Sequence, residues 1–471
     1  MRKHAMALVT FAAGMLAVAL PAAAQVGGEE DGWTAAGSAR AARASANGFW
    51  DALGDATLGR LVEEGARGSY RLRAAGARVE GADAAELRSA LGLAPIVTAN
   101  AGYQRRRFSS FAFPGAAPGA LPDEDVWSAG LTAAWELDVF GRLRGDLRAE
   151  RALHDAAEED LRDTEVAVSA EIARNYFVLR GAQERLEVAR RNAENQRRTL
   201  QLTETRLGAG RGTELDAERA RAQLASTEAS IPLLEAEIEA AEARIAVLVG
   251  RPPDELSLDD GERLPELPEE VPGAAAAAIV RSRPDVLGAE RRIAAGRARV
   301  QSARADYLPR IVLAGDAGYT ASALDAFGNT GTFNYAFGPV LSWAAFDIGR
   351  VKARVDEATA QEMEARAQYD EAVLRAQEEL RAAWVRYRTA RERLEHLEEA
   401  AEASARAADL ARLRYEAGAT DFLQVLDAER TLLLAQDELA RGRQAAADAY
   451  VELYEARGGV WDPAAEAAEA P

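Results

Sequence analysis

The chain has 471 residues, is 48% hydrophobic and 28% charged, and carries a formal charge of −19 with no cysteine and three histidines. That balance excludes a disordered chain and a multi-span helical membrane protein, its acidity argues against nucleic acid as a partner, and the missing cysteine removes disulfides, thiol chemistry and lipidation on cysteine. His154 and His396 lie among charged residues of helical stretches and read as solvated, so neither a metal site, a cofactor nor a catalytic triad is expected.

Residues 1–24 read as a secretory signal peptide, with Arg2 and Lys3 ahead of a short apolar run, 7–20, and an Ala-x-Ala site at 22–24. The run is too short for a membrane anchor, and no later apolar run could span a bilayer as a helix. Any membrane crossing must therefore use strands. Cleavage removes two cations and takes the formal charge from −19 to −21.

The rest of the chain repeats. At an offset of 208, Trp135 meets Trp343, Gly141-Arg142 meets Gly349-Arg350, Arg206 meets Arg414, Ala209-Gly210 meets Ala417-Gly418, and Gly250 meets Gly458. The register holds without a gap, as two superposable helices require, because one inserted residue would rotate every later side chain by about 100°. Upstream the offset is 214, with Pro95 meeting Pro309, so six residues are lost in the hairpin between, where loop tips tolerate them. The first repeat spans 25–250, 251–272 is a proline-rich linker, the second repeat spans 273–461, and 462–471 is an acidic tail expected to be disordered. In each repeat a helix (51–92, 273–306) leads to a β-hairpin (95–137, 309–345), then a very long helix (141–209, 349–417), a glycine break, and a second long helix (212–249, 419–457). Leu153, Ala157, Leu161, Val168, Ile172, Tyr176 and Leu179 trace an apolar stripe, and helices of this length must pack along one another as coiled coils.

The strands alternate. Trp127, Ala129, Leu131, Ala133, Trp135 and Leu137 share one face of 125–139, while Ser128, Gly130 and Thr132 lie on the other. Phe333, Tyr335, Phe337, Leu341 and Trp343 share a face of 332–345, and Pro339 predicts a bend or bulge there. Alternation over about ten residues with aromatics marks membrane-spanning barrel strands, with Trp127, Trp135, Phe333, Tyr335, Phe337 and Trp343 toward lipid, the alternative being a small sandwich packed on the helices. Four strands cannot close a barrel and an open edge cannot sit in lipid, so the chain must oligomerise. The outward tips are 108–125 and 324–331.

Ser282-Arg283-Pro284-Asp285-Val286, Tyr307-Leu308-Pro309, Phe346-Asp347-Ile348-Gly349-Arg350, Arg414-Tyr415-Glu416-Ala417-Gly418 and Val425-Leu426-Asp427-Ala428 occur in that order. With this duplicated organisation, the set resembles the outer-membrane efflux factors, the TolC-like channel proteins of Gram-negative bacteria. The wording around Arg283 resembles the branch serving proton-driven drug pumps, although many relatives there carry a lipidated N-terminal cysteine and this chain has none. The resemblance implies a mainly α fold with a β-barrel sector: a homotrimer whose twelve-stranded outer-membrane barrel continues as a periplasmic α-helical barrel. It implies docking to a periplasmic adaptor and an inner-membrane pump, and passive export of small molecules. It also implies a gate at the helix turns near 208–212 and 417–420. There Asp427 would be the aperture aspartate, repeated three times around the axis and attractive to cations. Asp216 and Tyr415 match positions that link neighbouring helix pairs. Gln424 stands where some relatives have a second aspartate and Thr420 where some have an arginine, which leaves Arg430 as a replacement partner.

Other readings remain open at this point: a duct for type I protein secretion or metal efflux, a soluble periplasmic coiled-coil tether, and, more distantly, an exported enzyme. The pentapeptide Leu-Asp-Ala-Glu-Arg occurs at 215–219 and again at 426–430, 211 residues apart rather than 208. In the repeat register, Asp216 therefore matches Gln424 and Asp427 matches Arg219. The two aspartates are staggered by nearly one helical turn.

Overall fold

The computed structural model describes residues 49–109, 117, 123–258, 264–268 and 276–459. The expected signal peptide, most of the first hairpin tip, part of the linker and the acidic tail lie outside the described residues.

The elements follow one another as α1 (Ala56–Gly68), α2 (Tyr70–Leu91), β1 (Ile96–Arg106), β2 (Glu124–Leu137), α3 (Arg142–Gly208), α4 (Glu214–Leu248), α5 (Ala276–Ser282), α6 (Pro284–Ala305), β3 (Arg310–Ala321), β4 (Phe333–Ser342), α7 (Ile348–Glu416) and α8 (Phe422–Ala456). Shifting α2 by 214 gives α6 residue for residue, and shifting α4 by 208 gives α8. Each repeat opens with two helices where one was expected. Pro284 denies Arg283 a helical conformation and starts α6 at its first position. At the equivalent place Ser69 is extended, with φ −62° and ψ 124°. The long helices α3 and α7, 67 and 69 residues, would each run about 100 Å at about 1.5 Å per residue.

The chain divides into two compact units. The first holds residues 81–154 and 291–366, which include all four strands. They form one antiparallel sheet in the order β1-β2-β3-β4. Ile96 opposes Ala134 in the first hairpin and Arg310 opposes Ser342 in the second, and these pairs are related by the two sequence offsets. The six-residue difference thus leaves the strand register untouched and sits in the hairpin connection. β2 and β3 join the repeats, with Trp127 opposite Ala321 and Leu137 opposite Ile311. At their crossing two glycines face each other. A Cβ on Gly130 would stand 2.9 Å from the Gly318 Cα, and one on Gly318 would stand 2.7 Å from the Gly130 Cα, so the strands approach too closely for any side chain.

Cross-strand partners share a face, and this carries the apolar alternation across the sheet. Val97, Ala133, Gly315 and Phe337 form one row, and Ala99, Leu131, Ala317 and Tyr335 the next. The side chains of Tyr335 and Phe337 are 66% and 81% exposed in the single chain. The opposite face carries Asn100, which donates to Thr132 at 3.1 Å, and Asn334, which donates to Thr320 at 3.0 Å. The bulge expected at Pro339 is absent. Pairing runs on through Leu313 opposite Pro339 with no inserted residue. At the base of the sheet the indole N–H of Trp135 donates to the Leu93 carbonyl at 2.8 Å, and that of Trp343 donates to the Tyr307 carbonyl at 3.0 Å. These are one device used twice, tying each hairpin to the end of the helix before it.

The second unit takes the remaining described residues. Its main core is a large cluster in which Phe49 stacks on Tyr450 with ring centroids 4.5 Å apart and Trp50 lies 4.7 Å from Tyr454. Parts of the linker are ordered against this core. Leu256 and Leu258 are buried, the Leu267 carbonyl accepts from Arg391 at 2.9 Å, and the Pro268 carbonyl accepts from the Tyr387 hydroxyl. Arg283 is buried and bridges Asp285 at 2.8 Å, Glu379 at 2.7 Å and the Ala456 carbonyl at 3.1 Å, pinning the start of α6 to α7 and to the end of α8.

Asp448 on α8 lies in this unit with one carboxylate oxygen buried and unpartnered. Burial raises its pKa from 3.8 to about 6, against the pull of Arg174 and with a further push from Glu452. The folded state therefore holds this proton to higher pH than the unfolded chain does. The resulting stability is full below the unfolded pKa near 4 and lost as pH rises through about 6, at most about 3 kcal/mol. Asp448→Asn is expected to raise the unfolding temperature near neutral pH and leave it unchanged near pH 4, measured by thermal denaturation across that range.

Candidate functional site

The turns that join α3 to α4 and α7 to α8 are built alike. Each long helix ends on a glycine with positive φ, Gly210 at 70° and Gly418 at 73°. The Arg211 N–H reaches back to the Arg206 carbonyl at 2.9 Å, and the Ala419 N–H to the Arg414 carbonyl at 2.8 Å, the hydrogen bonding of a Schellman cap. The following helices open on capping residues. Thr213 accepts from the Asp216 N–H at 3.2 Å and its hydroxyl donates to the Asp216 carboxylate at 2.7 Å. Asp421 accepts from the Gln424 N–H at 3.2 Å, while the Gln424 side-chain Oε1 accepts from the Thr420 hydroxyl at 2.6 Å. Asp216 and Gln424 are thus the third residues of α4 and α8, and each closes its own cap.

Tyr415 is the centre of the site. It is buried with Phe422, Val425 and Ala220, and its ring centroid lies 5.8 Å from that of Phe422. The Arg206 guanidinium covers its ring at 4.1 Å. The same guanidinium donates to the Tyr415 carbonyl at 2.6 Å and the Glu416 carbonyl at 3.1 Å. One arginine on α3 therefore serves two carbonyls at the end of α7, adding to the Gly418 N–H that the Tyr415 carbonyl already accepts at 2.9 Å, and a cation is also favoured there by the helix dipole.

The two helices of each hairpin are joined by ion pairs at matching heights with reversed charges. Glu204 and Arg221 pair at 2.9 Å in the first repeat, and their counterparts Arg412 and Glu429 pair at 3.3 Å in the second. Higher up, Arg190 and Glu235 pair at 2.8 Å, and their counterparts Glu398 and Arg443 at 3.2 Å. An ion pair survives reversal of both its members, so position rather than sign is what the hairpin needs.

The two acidic residues of Leu-Asp-Ala-Glu-Arg at 426–430 have opposite fates. Glu429 is buried and accepts from the Thr199 hydroxyl at 2.8 Å. Asp427 is exposed, and no described residue bonds or pairs with its carboxylate. Arg430 is exposed as well and does not reach Asp427 within the chain. The structure thus brings Tyr415 together with Arg206, Phe422 and Val425. It leaves Asp216 and Gln424 in their caps, and Asp427 and Arg430 on the open face of α8. Sequence reasoning missed Arg206 and Glu429 as site residues. The only trace of Arg206 was its match with Arg414 in the repeat.

Among the described residues no helix is long and apolar enough to cross a membrane, and no group of three His, Cys, Asp or Glu side chains could hold a metal ion. A sheet with a continuous apolar face and two open edges, duplicated with its long helical hairpins, defines the subunit of a membrane channel built from strands. The chain belongs to the outer membrane efflux protein family, which it matches over residues 61–251 and 277–459, one block for each repeat. It is 32% identical over 422 residues to the pyoverdine export outer membrane protein OpmQ of Pseudomonas aeruginosa, covering 88% of this chain and 87% of that one. It is 30% identical over 339 residues to the solvent efflux pump outer membrane protein SrpC of Pseudomonas putida, covering 72% of each. The solved structure of the outer-membrane channel OprN superposes with a TM-score of 0.82 at 41% identity, covering 88% of this chain and 93% of that one. The protein is an outer-membrane efflux channel with the TolC-like fold.

The burial contrast in the 426–430 motif is directly testable. Glu429→Ala leaves the Thr199 hydroxyl without its acceptor and Arg412 with Asp409 alone, and is expected to cost about 1–3 kcal/mol of stability. Asp427→Ala is expected to cost almost nothing. Denaturant unfolding of the two variants beside the parent reads the difference.

Proposed function

We propose that three copies of this chain form the passive duct of a tripartite efflux system, carrying small molecules from an inner-membrane pump, through a periplasmic adaptor, across the outer membrane. The observation that carries this reading is the sheet. β1 and β4 have unpaired edges, which hydrocarbon does not tolerate, and each hairpin has the same internal register. The joint between β2 and β3 inside the chain therefore supplies the geometry for a joint between β4 and the next copy's β1. Carrying the pairing of Trp127 with Ala321 through the two offsets sets Tyr335 opposite the partner's Arg107, Phe337 opposite the partner's Arg105 and Leu341 opposite the partner's Ala101. Three four-stranded sectors then close a barrel with no edge. Its outer face carries Trp127, Trp135, Phe333, Tyr335, Phe337 and Trp343.

A duct needs no reaction, and its selectivity comes from pore width and lining charge. Asp427, exposed and without a partner among the described residues, is free to line the aperture as a ring of three carboxylates, with Arg206 holding the end of α7 through the Tyr415 and Glu416 carbonyls. Asp216 and Gln424 set the helix starts on which that ring stands. Pyoverdine and organic solvents, named for two relatives, have little chemistry in common. That difference supports a cargo chosen by the pump and adaptor rather than by this chain.

Two measurements test the reading. The chain has no cysteine, so Leu341→Cys with Ala101→Cys is expected to cross-link copies into covalent trimers in outer-membrane fractions. Trimers without cross-links would place the strands in another register, and monomers would end the duct reading. In planar bilayers Asp427→Ala is expected to lower cation preference. Unchanged conductance and preference would remove Asp427 from the aperture.

A further inference from the structure

Apolar side chains stay exposed where the sheet gives way to the long helices. Val139 and Phe140, between β2 and α3, are 56% and 44% exposed. Ile348, which opens α7 and is the counterpart of Phe140, is 58% exposed. β2 already has both of its neighbours, β1 on one side and β3 on the other. Exposure at the end of this strand is therefore not an edge waiting for another copy. Ile348 follows the edge strand β4, but Phe140 shows that the same place stays open where the joint is complete. The wholly exposed Phe346 has no such witness, because its counterpart is Asp138.

The strand sets the height of these residues. The apolar face of β2 runs from Trp127 to Leu137, about 34 Å at about 3.4 Å per residue. At a tilt of about 40° this gives about 26 Å of height, the whole of an apolar band about 25 Å tall. Trp135, tied to the Leu93 carbonyl, marks the lower edge of the band. Val139 and Phe140 lie past that edge, on the side of the helices, where phospholipid headgroups begin. Cations follow in both repeats, Arg142 and Arg144 in the first and Arg350 and Lys352 in the second. Arg144, Arg350 and Lys352 are more than half exposed, each beside one acidic side chain. Apolar tips followed by long exposed cations suit a headgroup layer, where the tips dip toward the acyl chains and the cations reach back to phosphate.

We propose that Val139, Phe140 and Ile348 form an apolar collar, repeated around the trimer, that seats in the phospholipid headgroup layer on the helix side of the outer membrane and anchors the channel at a fixed depth. This rests on the trimeric duct reading above. The occupant is lipid rather than protein for two reasons. The collar continues the lipid-facing surface that ends at Trp135 and Leu137, and the strand joint beside Val139 and Phe140 is already complete within one chain. Removing these side chains from water is favourable in proportion to their apolar area.

The chain has no cysteine, so single introduced cysteines report depth position by position. Phe140→Cys, Ile348→Cys, Leu131→Cys and Met363→Cys are made in the full-length protein, labelled with an environment-sensitive dye and reconstituted in vesicles of phosphatidylethanolamine and phosphatidylglycerol. Leu131 lies in the middle of the apolar face, and Met363 is exposed about four turns into α7. Labels at 140 and 348 are expected to emit at shorter wavelength than the label at 363. A phospholipid carrying a nitroxide on its headgroup is expected to quench them most. The label at 131 is expected to be quenched most by a nitroxide deep in the acyl chain. Quenching at 140 and 348 no stronger than at 363 overturns the proposal. So does quenching there that is strongest for the deep nitroxide, which would place these residues within the barrel's hydrocarbon band. If the duct reading itself fails, the label at 131 is not quenched by the deep nitroxide either, which tells the two failures apart. A readout without labels is release from the vesicles by a mild detergent. Phe140→Ser with Ile348→Ser is expected to lower the detergent concentration needed about twofold, and Met363→Ser to leave it unchanged. Equal release of the two variants overturns the anchor.

Discussion

The open edges of β1 and β4 are the constraint on which the rest of the structure depends. Every backbone N–H and C=O in hydrocarbon must find a partner, and a four-stranded sheet leaves two rows of them unmet. No side-chain chemistry solves that problem; only another strand does. The sheet is accordingly made to be continued. Its apolar face runs unbroken from Val97 on β1 to Phe337 on β4, and both of its hairpins have one register.

Duplication meets the constraint economically because it repeats joints as well as elements. The indoles of Trp135 and Trp343 tie their hairpins down in the same way, and the Schellman turns at Gly210 and Gly418 reverse the chain in the same way. Where the two halves have diverged, they have done so inside that frame. Six residues left a hairpin connection without shifting a strand pair. Two ion pairs between hairpin helices reversed their charges without moving. The contacts from α3 to α8 are polar and numerous, whereas each pair of matching positions on α7 and α4 contains an alanine or, at Glu392 and Glu235, two like charges.

Much of this was legible in the sequence, and the reasons are specific. Helix ends were visible because glycine, proline and capping residues mark them. The shift of α4 onto α8 was visible because a gap would have broken the periodicity of both. The strand faces were visible because alternation has no other explanation in an exported chain without an apolar helix. The bulge expected at Pro339 did not form, since a proline that lacks one ladder donor still keeps the register through Leu313. The break at Ser69 was hidden because no proline stands there; only its counterpart, Arg283 before Pro284, signalled it. The linker looked featureless, yet Leu256 and Leu258 are buried and the carbonyls of Leu267 and Pro268 serve α7. Isolated leucines among prolines carry no period from which docking could be read.

By itself, the sequence determined the repeat, its two offsets, the strand and helix order and the need for other copies, because each follows from periodicity and from what a bilayer forbids. Only the tertiary structure decided which acidic residue near the turn faces outward. Asp427 and Glu429 sit two residues apart in the same pentapeptide, so their side chains leave α8 in nearly opposite directions. One meets Thr199 and Arg412, and the other meets no described residue. Only the tertiary structure, too, set Arg206 on the carbonyls of Tyr415 and Glu416. That contact joins residues 209 positions apart, and no local pattern in either segment contains it.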